Sequence, residues 1–216
     1  MAFLQNIKKF FIFYKTYTKG ISKEYLGEYD KAIRELLFAI SLKSDYIPVH
    51  KALIRLNRKN RNYQNAIDYA ERASEKFEQK SFFYAAAADL YRKIKLYDNA
   101  IEAYNNALKA DDTQIEYYKN RAQIKYYTDD VSGAINDCNA AILREKKSAD
   151  LFALRGFYNL ELKNYKSAVE DYTKAIKLSP KHAHYYFMRS CCNELNGNAS
   201  SAEEDMQQFK LKSKSI

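Results

Sequence analysis

The sequence predicts an all-α protein built as a stack of antiparallel helix pairs. One motif recurs at a fixed spacing of 34 residues along nearly the whole chain. Only five Gly and two Pro are present, too few for the turns of a many-stranded sheet. Hydrophobic residues make up 47% of the chain, which is enough to build a continuous core. These features are typical of a helical repeat array.

The recurring motif reads Tyr-x-x-Ala-Ile in its clearest copies. The six copies begin at residues 29, 63, 97, 131, 165 and 199, without an insertion. Small residues on one face of a helix let a neighbouring helix approach closely. We therefore expect the alanine of each copy to be buried at a helix contact. These alanines are Ala32, Ala66, Ala100, Ala134, Ala168 and Ala202.

A second set of positions predicts the partner helix of each pair. Twelve residues before each motif alanine stands a residue that is small in five of the six copies. These residues are Gly20, Ile54, Ala88, Ala122, Gly156 and Ser190. Four residues further upstream most copies carry a large ring, such as Tyr84, Tyr118 or Phe152. Each repeat therefore contains two helices that touch at small residues.

This order of large, small, aromatic and Ala positions in a 34-residue unit resembles the tetratricopeptide repeat family. The third and fifth repeats match best, although the chain has no Trp and Ile54 departs from the pattern. The resemblance implies a right-handed superhelical solenoid, preceded by a helical extension over residues 1–12. The six repeats are predicted at residues 13–46, 47–80, 81–114, 115–148, 149–182 and 183–216.

The two ends of the array carry different patterns. The last helix has polar residues on most of its surface, so we expect it to act as a solvated cap. Near the N-terminus, apolar residues that include Phe3, Ile7 and Phe10 recur every three or four positions, opposite Lys8 and Lys9. We expect this stripe to pack on the next repeat. A basic amphipathic helix at a membrane surface is the alternative.

The resemblance also implies that the first helices of the repeats line a concave groove that binds a peptide or a partner helix. Residues 47–80 contain eight Lys or Arg against four Asp or Glu, so the N-terminal half of the groove is predicted to be basic. The C-terminal half is predicted to be aromatic. The partner is accordingly expected to offer an acidic segment and an apolar anchor. The candidate site residues are Lys51, Arg55, Arg58, Arg92, Lys119, Asn120, Gln123, Tyr126, Phe157 and Phe187.

Catalysis is not expected, since the sequence contains no glycine-rich phosphate loop, nucleophile elbow or paired-histidine zinc motif. His182 and His184 lie near Cys191 and Cys192, but this spacing does not specify a four-ligand metal site. No cofactor is predicted. The function that the sequence predicts is a non-catalytic protein–protein interaction scaffold.

A net charge of +9 keeps an alternative open, an RNA-associated or membrane-surface adaptor that uses the basic N-terminal half. Single-stranded RNA binding needs basic and aromatic groups interleaved, whereas here they are segregated along the array. Nucleic acid is therefore the less favoured partner. Three cysteines form no disulfide framework and no apolar run is long enough to span a bilayer, so we expect a cytoplasmic protein.

Overall fold

The computed structural model describes residues 2–214, with side chains from residue 4 onward. Twelve α-helices and no strand occur in this range, which confirms the predicted all-α array of helix pairs. The first helices of the six pairs are α1 (Ala2–Tyr25), α3 (Ile47–Lys59), α5 (Lys80–Lys93), α7 (Ile115–Tyr127), α9 (Ala149–Glu161) and α11 (Ala183–Leu195). The second helices are α2 (Tyr29–Leu42), α4 (Tyr63–Lys76), α6 (Tyr97–Ala110), α8 (Val131–Arg144), α10 (Tyr165–Leu178) and α12 (Ala199–Ser213).

The helices form two compact units, one ending at Asp111 and one beginning at Asp112. The first unit contains α1 to α6 and the second contains α7 to α12. In both units each first helix packs on the second helix of its own repeat, which in turn packs on the first helix of the next repeat of that unit.

A left-handed residue marks the turn between the two helices of every repeat. Its φ lies between 61° and 82° at Gly27, Arg61, Lys95, Asp129, Lys163 and Gly197. The following N–H donates to a carbonyl five residues back, as from Asn62 to Asn57 at 2.8 Å, which is the Schellman bond that ends a helix. The left-handed conformation costs a non-glycine residue about 1–2 kcal/mol. Packing of the helix pair, and not local preference, therefore sets this turn in four of the six repeats.

Small residues hold the two helices of each pair close together, as the sequence predicts. The motif alanines of the first five repeats have no exposed surface, and Ala202 is 7% exposed. A Cβ atom added at Gly20 would lie 2.7 Å from the Leu36 side chain, and one added at Gly156 would lie 3.1 Å from the Tyr172 ring. No larger residue fits at these two contacts without a shift of its neighbour.

Large apolar side chains fill the space between successive pairs. In the first unit Phe13, Leu36, Leu53 and Phe83 are fully buried. In the second unit this role falls to tyrosine rings such as Tyr158 and Tyr172, whose burial raises the pKa of both phenols. Burying rings of this size removes a large apolar area from water in each repeat.

The N-terminal part of α1 differs from the sequence expectation. Tyr17 and Ile21 pack on the core, but Ile7 is 37% exposed, Phe10 is 52% exposed, and the side chain of Phe3 lies outside the described residues. The expected packing of the whole stripe is therefore wrong for its first part. The reason is length, since 24 residues of α1 span about 36 Å while 14 residues of α2 span about 21 Å. The first turns of α1 extend beyond the end of their partner helix.

At the other end of the chain, α12 keeps Ala202 and Asp205 buried and exposes most of its polar residues, among them Glu203 and Lys210. This distribution agrees with the expected solvated cap. Among the described residues, no helix combines the length and the apolar character needed to cross a membrane.

The close helix contact can be tested at Ala134, which is fully buried between α7 and α8. Ala134→Leu adds a larger side chain at a contact that has no free space, so it should lower the free energy of unfolding by about 1–3 kcal/mol in chemical denaturation. Asn136→Leu, an exposed position on the same helix, should change it by about 0.5 kcal/mol or less. Equal effects of the two substitutions would show that the alanine is not a packing contact.

Candidate partner-binding surfaces on the first helices

Helix α3 exposes basic residues along one face, because its other faces pack on neighbouring helices. Lys51, Arg55 and Arg58 follow one another at spacings of four and three residues, which places them on one helix face. We call these three residues the basic stripe. Val49, Leu53 and Leu56 fix the opposite face of α3 in the core. The stripe agrees with the predicted basic character of the N-terminal half.

Arg55 is already paired within the chain. Its Nε and Nη2 donate to the Glu24 carboxylate at 2.8 and 2.6 Å, and Lys59 Nζ donates to the same carboxylate at 2.9 Å. The hydrogen bond from Arg55 lowers the pKa of Glu24 from 4.5 to about 2. A bidentate pair of this kind is stronger than a single charge contact. Arg55 therefore joins α3 to α1, a role that the sequence reading did not anticipate.

Lys51 and Arg92 lie on neighbouring first helices and also have contacts within the chain. Lys51 Nζ sits 4.2 Å from the centre of the Phe82 ring, which is a cation–π contact between α3 and α5. Arg92 Nη2 donates to Asp89 at 3.4 Å, and Tyr104 donates to the same carboxylate at 2.6 Å. Both cations keep part of their surface exposed to solvent.

In the second unit the polar candidates lie along α7. Lys119 Nζ donates to Glu116 at 2.6 Å, one turn earlier on the helix. Asn120 is half-buried, and Gln123 is exposed, with its Nε2 3.5 Å from the Tyr127 hydroxyl. These three residues occupy the exposed side of the helix ahead of its aromatic end.

An aromatic cluster formed by Tyr126, Tyr127 and Phe157 lies at the ends of α7 and α9. The Tyr126 ring centre is 5.3 Å from that of Phe157 and 5.9 Å from that of Tyr127. The Tyr126 hydroxyl donates to Glu161 at 3.0 Å, which raises the pKa of this tyrosine. Tyr127 is 56% exposed, while Tyr126 and Phe157 are half-buried. Two predicted anchors, Tyr126 and Phe157, are thus brought together.

Phe187, the third predicted anchor, has a different environment. Its ring centre is 5.3 Å from that of Phe209 on α12, and it is half-buried in the last repeat. It packs against the cap helix rather than joining the aromatic cluster.

The matches to known proteins agree with this architecture. A model of the tetratricopeptide repeat family matches residues 83–114 and 149–182, the third and fifth repeats, which also match best by their residues. The chain therefore contains tetratricopeptide repeats. No curated protein matches its sequence.

Several solved structures share the fold of this chain at low sequence identity. A tetratricopeptide repeat protein from Parabacteroides merdae is 16% identical with a TM-score of 0.71, covering 93% of this chain and 80% of that one. MamA from Desulfovibrio magneticus is 13% identical with a TM-score of 0.68, covering 79% and 97%. YrrB, described as having an unusual peptide-binding site, is 14% identical with a TM-score of 0.68, covering 82% and 91%.

Three ion pairs with buried carboxylates support the first helices of the second unit. Arg155 Nε lies 3.0 Å from Asp171 Oδ2, and Asn159 Nδ2 donates to the same atom at 3.0 Å. The hydrogen bond to Asp171 raises the pKa of Arg155. Equivalent pairs at the 34-residue spacing are Arg121 with Asp137 and Arg189 with Asp205. Each joins the first and second helix of one repeat.

The sequence reading missed these pairs, although their signal is present in the chain. Arginines at 121, 155 and 189 and aspartates at 137, 171 and 205 each recur every 34 residues. Two of the arginines also reach the preceding repeat, where Arg155 donates to Asn139 at 2.7 Å and Arg189 donates to Thr173 at 3.0 Å. They therefore fix the position of α9 and α11 on both sides.

Cys138 and Cys192 are buried in the core, and His182 lies at the start of α11. Burial raises the pKa of Cys138 and of Cys192 to about 12, so neither is a thiolate at neutral pH. His182 stacks on Tyr185 with ring centres 4.1 Å apart. Within the described residues, no group of three or more His, Cys, Asp or Glu could hold a metal ion.

The pairing of Glu24 with Arg55 predicts a pH dependence. Because the folded-state pKa of Glu24 is lowered from 4.5 to about 2, its stabilisation is complete above pH 4.5 and is lost as the pH falls towards 2. The melting temperature of wild type should exceed that of Glu24→Gln at pH 7, and the difference should shrink across this window. The exposed Glu75→Gln serves as a control. A Glu24→Gln difference that does not change with pH would contradict the pairing.

Proposed function

We propose that the chain is a non-catalytic scaffold that binds a peptide or helix of a partner protein on the exposed faces of its first helices. The aromatic cluster is the observation that carries this proposal. Tyr126, Tyr127 and Phe157 expose apolar rings side by side on a surface that the Arg121–Asp137 and Arg155–Asp171 pairs hold in place. A preorganised surface binds at a lower entropic cost than one that must be ordered first.

The aromatic cluster has the features of a binding anchor. Tyrosine and phenylalanine are enriched at the centres of protein interfaces, where a few residues supply most of the binding energy. Tyr127 exposes more than half of its surface. The Tyr126 hydroxyl donates to the Glu161 carboxylate, so a bound peptide need not supply an acceptor for it. An apolar side chain of a partner peptide would cover these rings. This arrangement favours the apolar anchor that the sequence reading proposed.

The acidic part of the partner fits the basic stripe of the first unit. Arg58 is exposed, and Lys51 keeps its charge above the Phe82 ring, so both can meet a carboxylate without breaking an ion pair. A carboxylate of the partner can bind Arg55 only after the ion pair between Arg55 and Glu24 has broken. We therefore assign the acidic contact mainly to Lys51 and Arg58, and a supporting role to Arg55. Charges of this kind act mainly on the rate of association.

The state of the buried cysteines and aspartates supports a binding role over catalysis. A nucleophilic cysteine requires an accessible thiolate, and burial raises the pKa of Cys138 and Cys192 far above neutral pH. The acidic residues Asp137, Asp171 and Asp205 are buried and held by arginine. Peptide binding by a fold relative, YrrB, is in keeping with this proposal.

Selection of peptides from a random display library on the immobilised full chain tests the proposal. Selected peptides should carry an apolar residue where they bind the aromatic cluster and acidic residues where they bind the basic stripe. Phe157→Ala should weaken binding by about 2 kcal/mol, which is about 30-fold in affinity, through faster dissociation. Arg58→Glu should instead slow association and reduce its dependence on salt.

Matched controls come from the second helices. Leu143→Ala on α8 removes an apolar side chain that is 70% exposed, and Arg72→Glu on α4 reverses an exposed charge of the same repeat as Arg58. Neither control should change affinity more than about twofold. Failure to select any peptide, or peptides that bind Phe157→Ala as they bind wild type, would refute the assigned surface.

A further inference from the structure

The N-terminal arm of α1, residues 4–15, exposes apolar side chains that the fold does not cover. Within it Phe11 is 67% exposed, and Leu4, Ile7, Phe10 and Tyr14 are also exposed. The arm begins to pack at Phe13, which is buried against Tyr46 of the next repeat. Its earlier turns lie beyond the end of α2 at Leu42. A contiguous apolar surface of this kind is a feature that calls for a partner.

The arm is amphipathic in a regular way. At about 100° per residue, five of the six exposed apolar residues, all except Ile12, fall within about 120° of the helix circumference. Lys8, Lys15 and Lys19 fall together in the neighbouring sector. The chain has five lysines before its first acidic residue, Glu24. One face of the arm is therefore apolar and the face beside it is cationic.

We propose that this arm binds the surface of membranes that contain anionic lipids. The apolar face enters the boundary between head groups and acyl chains, with the helix parallel to the surface, and Lys8 and Lys15 contact lipid phosphates and carboxylates, while Lys19 is paired with Glu35. The rest of the chain is thereby tethered to the membrane surface. This role is separate from peptide binding on α3, α7 and α9 and does not depend on it.

Charge and area favour a lipid surface over a second protein as the occupant. A stable protein interface uses about 20–30 residues on each side, whereas the arm offers six exposed apolar side chains on about three helical turns. Two copies of the arm would also bring two lysine clusters of the same sign together. An anionic bilayer has no such limit on area, and its charge is complementary to the arm.

Flotation of the full chain with lipid vesicles tests the assignment. We expect binding to vesicles of phosphatidylcholine with 30% phosphatidylserine and at least tenfold weaker binding to phosphatidylcholine alone. Phe10→Ser with Phe11→Ser should weaken binding to the anionic vesicles at least tenfold, because both rings leave the lipid boundary. Lys8→Glu with Lys15→Glu should have an effect of similar size, since each lysine near the surface contributes about fivefold.

The chain offers matched controls for both variants. Lys146→Glu with Lys147→Glu changes the net charge equally at an exposed loop between α8 and α9, and Leu143→Ser removes an equally exposed apolar side chain. Neither control should alter vesicle binding more than about twofold. Circular dichroism should show that all variants remain helical, because the substituted side chains are exposed.

Three results would overturn the proposal. The first is no binding of wild type to anionic vesicles. The second is an equal loss in the Lys146/Lys147 variant, which would show attraction by net charge alone. The third is a wild-type dimer in light scattering that Phe10→Ser with Phe11→Ser converts to a monomer while vesicle binding stays unchanged, which would make the arm a contact between copies.

Discussion

The close contact between the two helices of each repeat is the constraint on which the rest of the structure depends. The motif alanines of the first five repeats have no exposed surface, and Gly20 lies against the backbone of Ala32 on the partner helix. Because no larger side chain fits at Gly20 or Gly156 without a shift of its neighbour, the bulky residues of these repeats lie between successive pairs or on the surface. The left-handed turn follows from the same constraint, since four repeats accept a strained residue there to keep the pair in register.

This packing leaves one face of each inner first helix in contact with solvent, and that face is where the repeats differ. On α3 it is basic, and at the ends of α7 and α9 it is aromatic. Behind the second of these surfaces the arginine–aspartate pairs have buried carboxylates, and removing one partner of a buried pair leaves an uncompensated charge. The chain thus combines an invariant packing face with a variable surface, which suits a scaffold.

The 34-residue periodicity could be read from the sequence, whereas contacts that do not repeat with this period could not. The helix pairs and the buried alanines follow from residues that recur every 34 positions, and Tyr126 with Phe157 came from the same register. The pairing of Arg55 with Glu24 could not be predicted in this way, because it joins residues of different repeats. An apolar stripe also has the same pattern whether it packs or stays exposed. Only the relative lengths of α1 and α2 decide that Phe10 is exposed.

The central claim is that partners contact the first helices and not the second. Photo-cross-linking tests it most directly, with benzoylphenylalanine replacing Tyr127 on α7 or Leu143 on α8, two exposed positions of one repeat. A peptide selected on the wild-type chain should be captured from position 127 and not from position 143. Capture from position 143 alone would place the partner on the second helices and contradict the account.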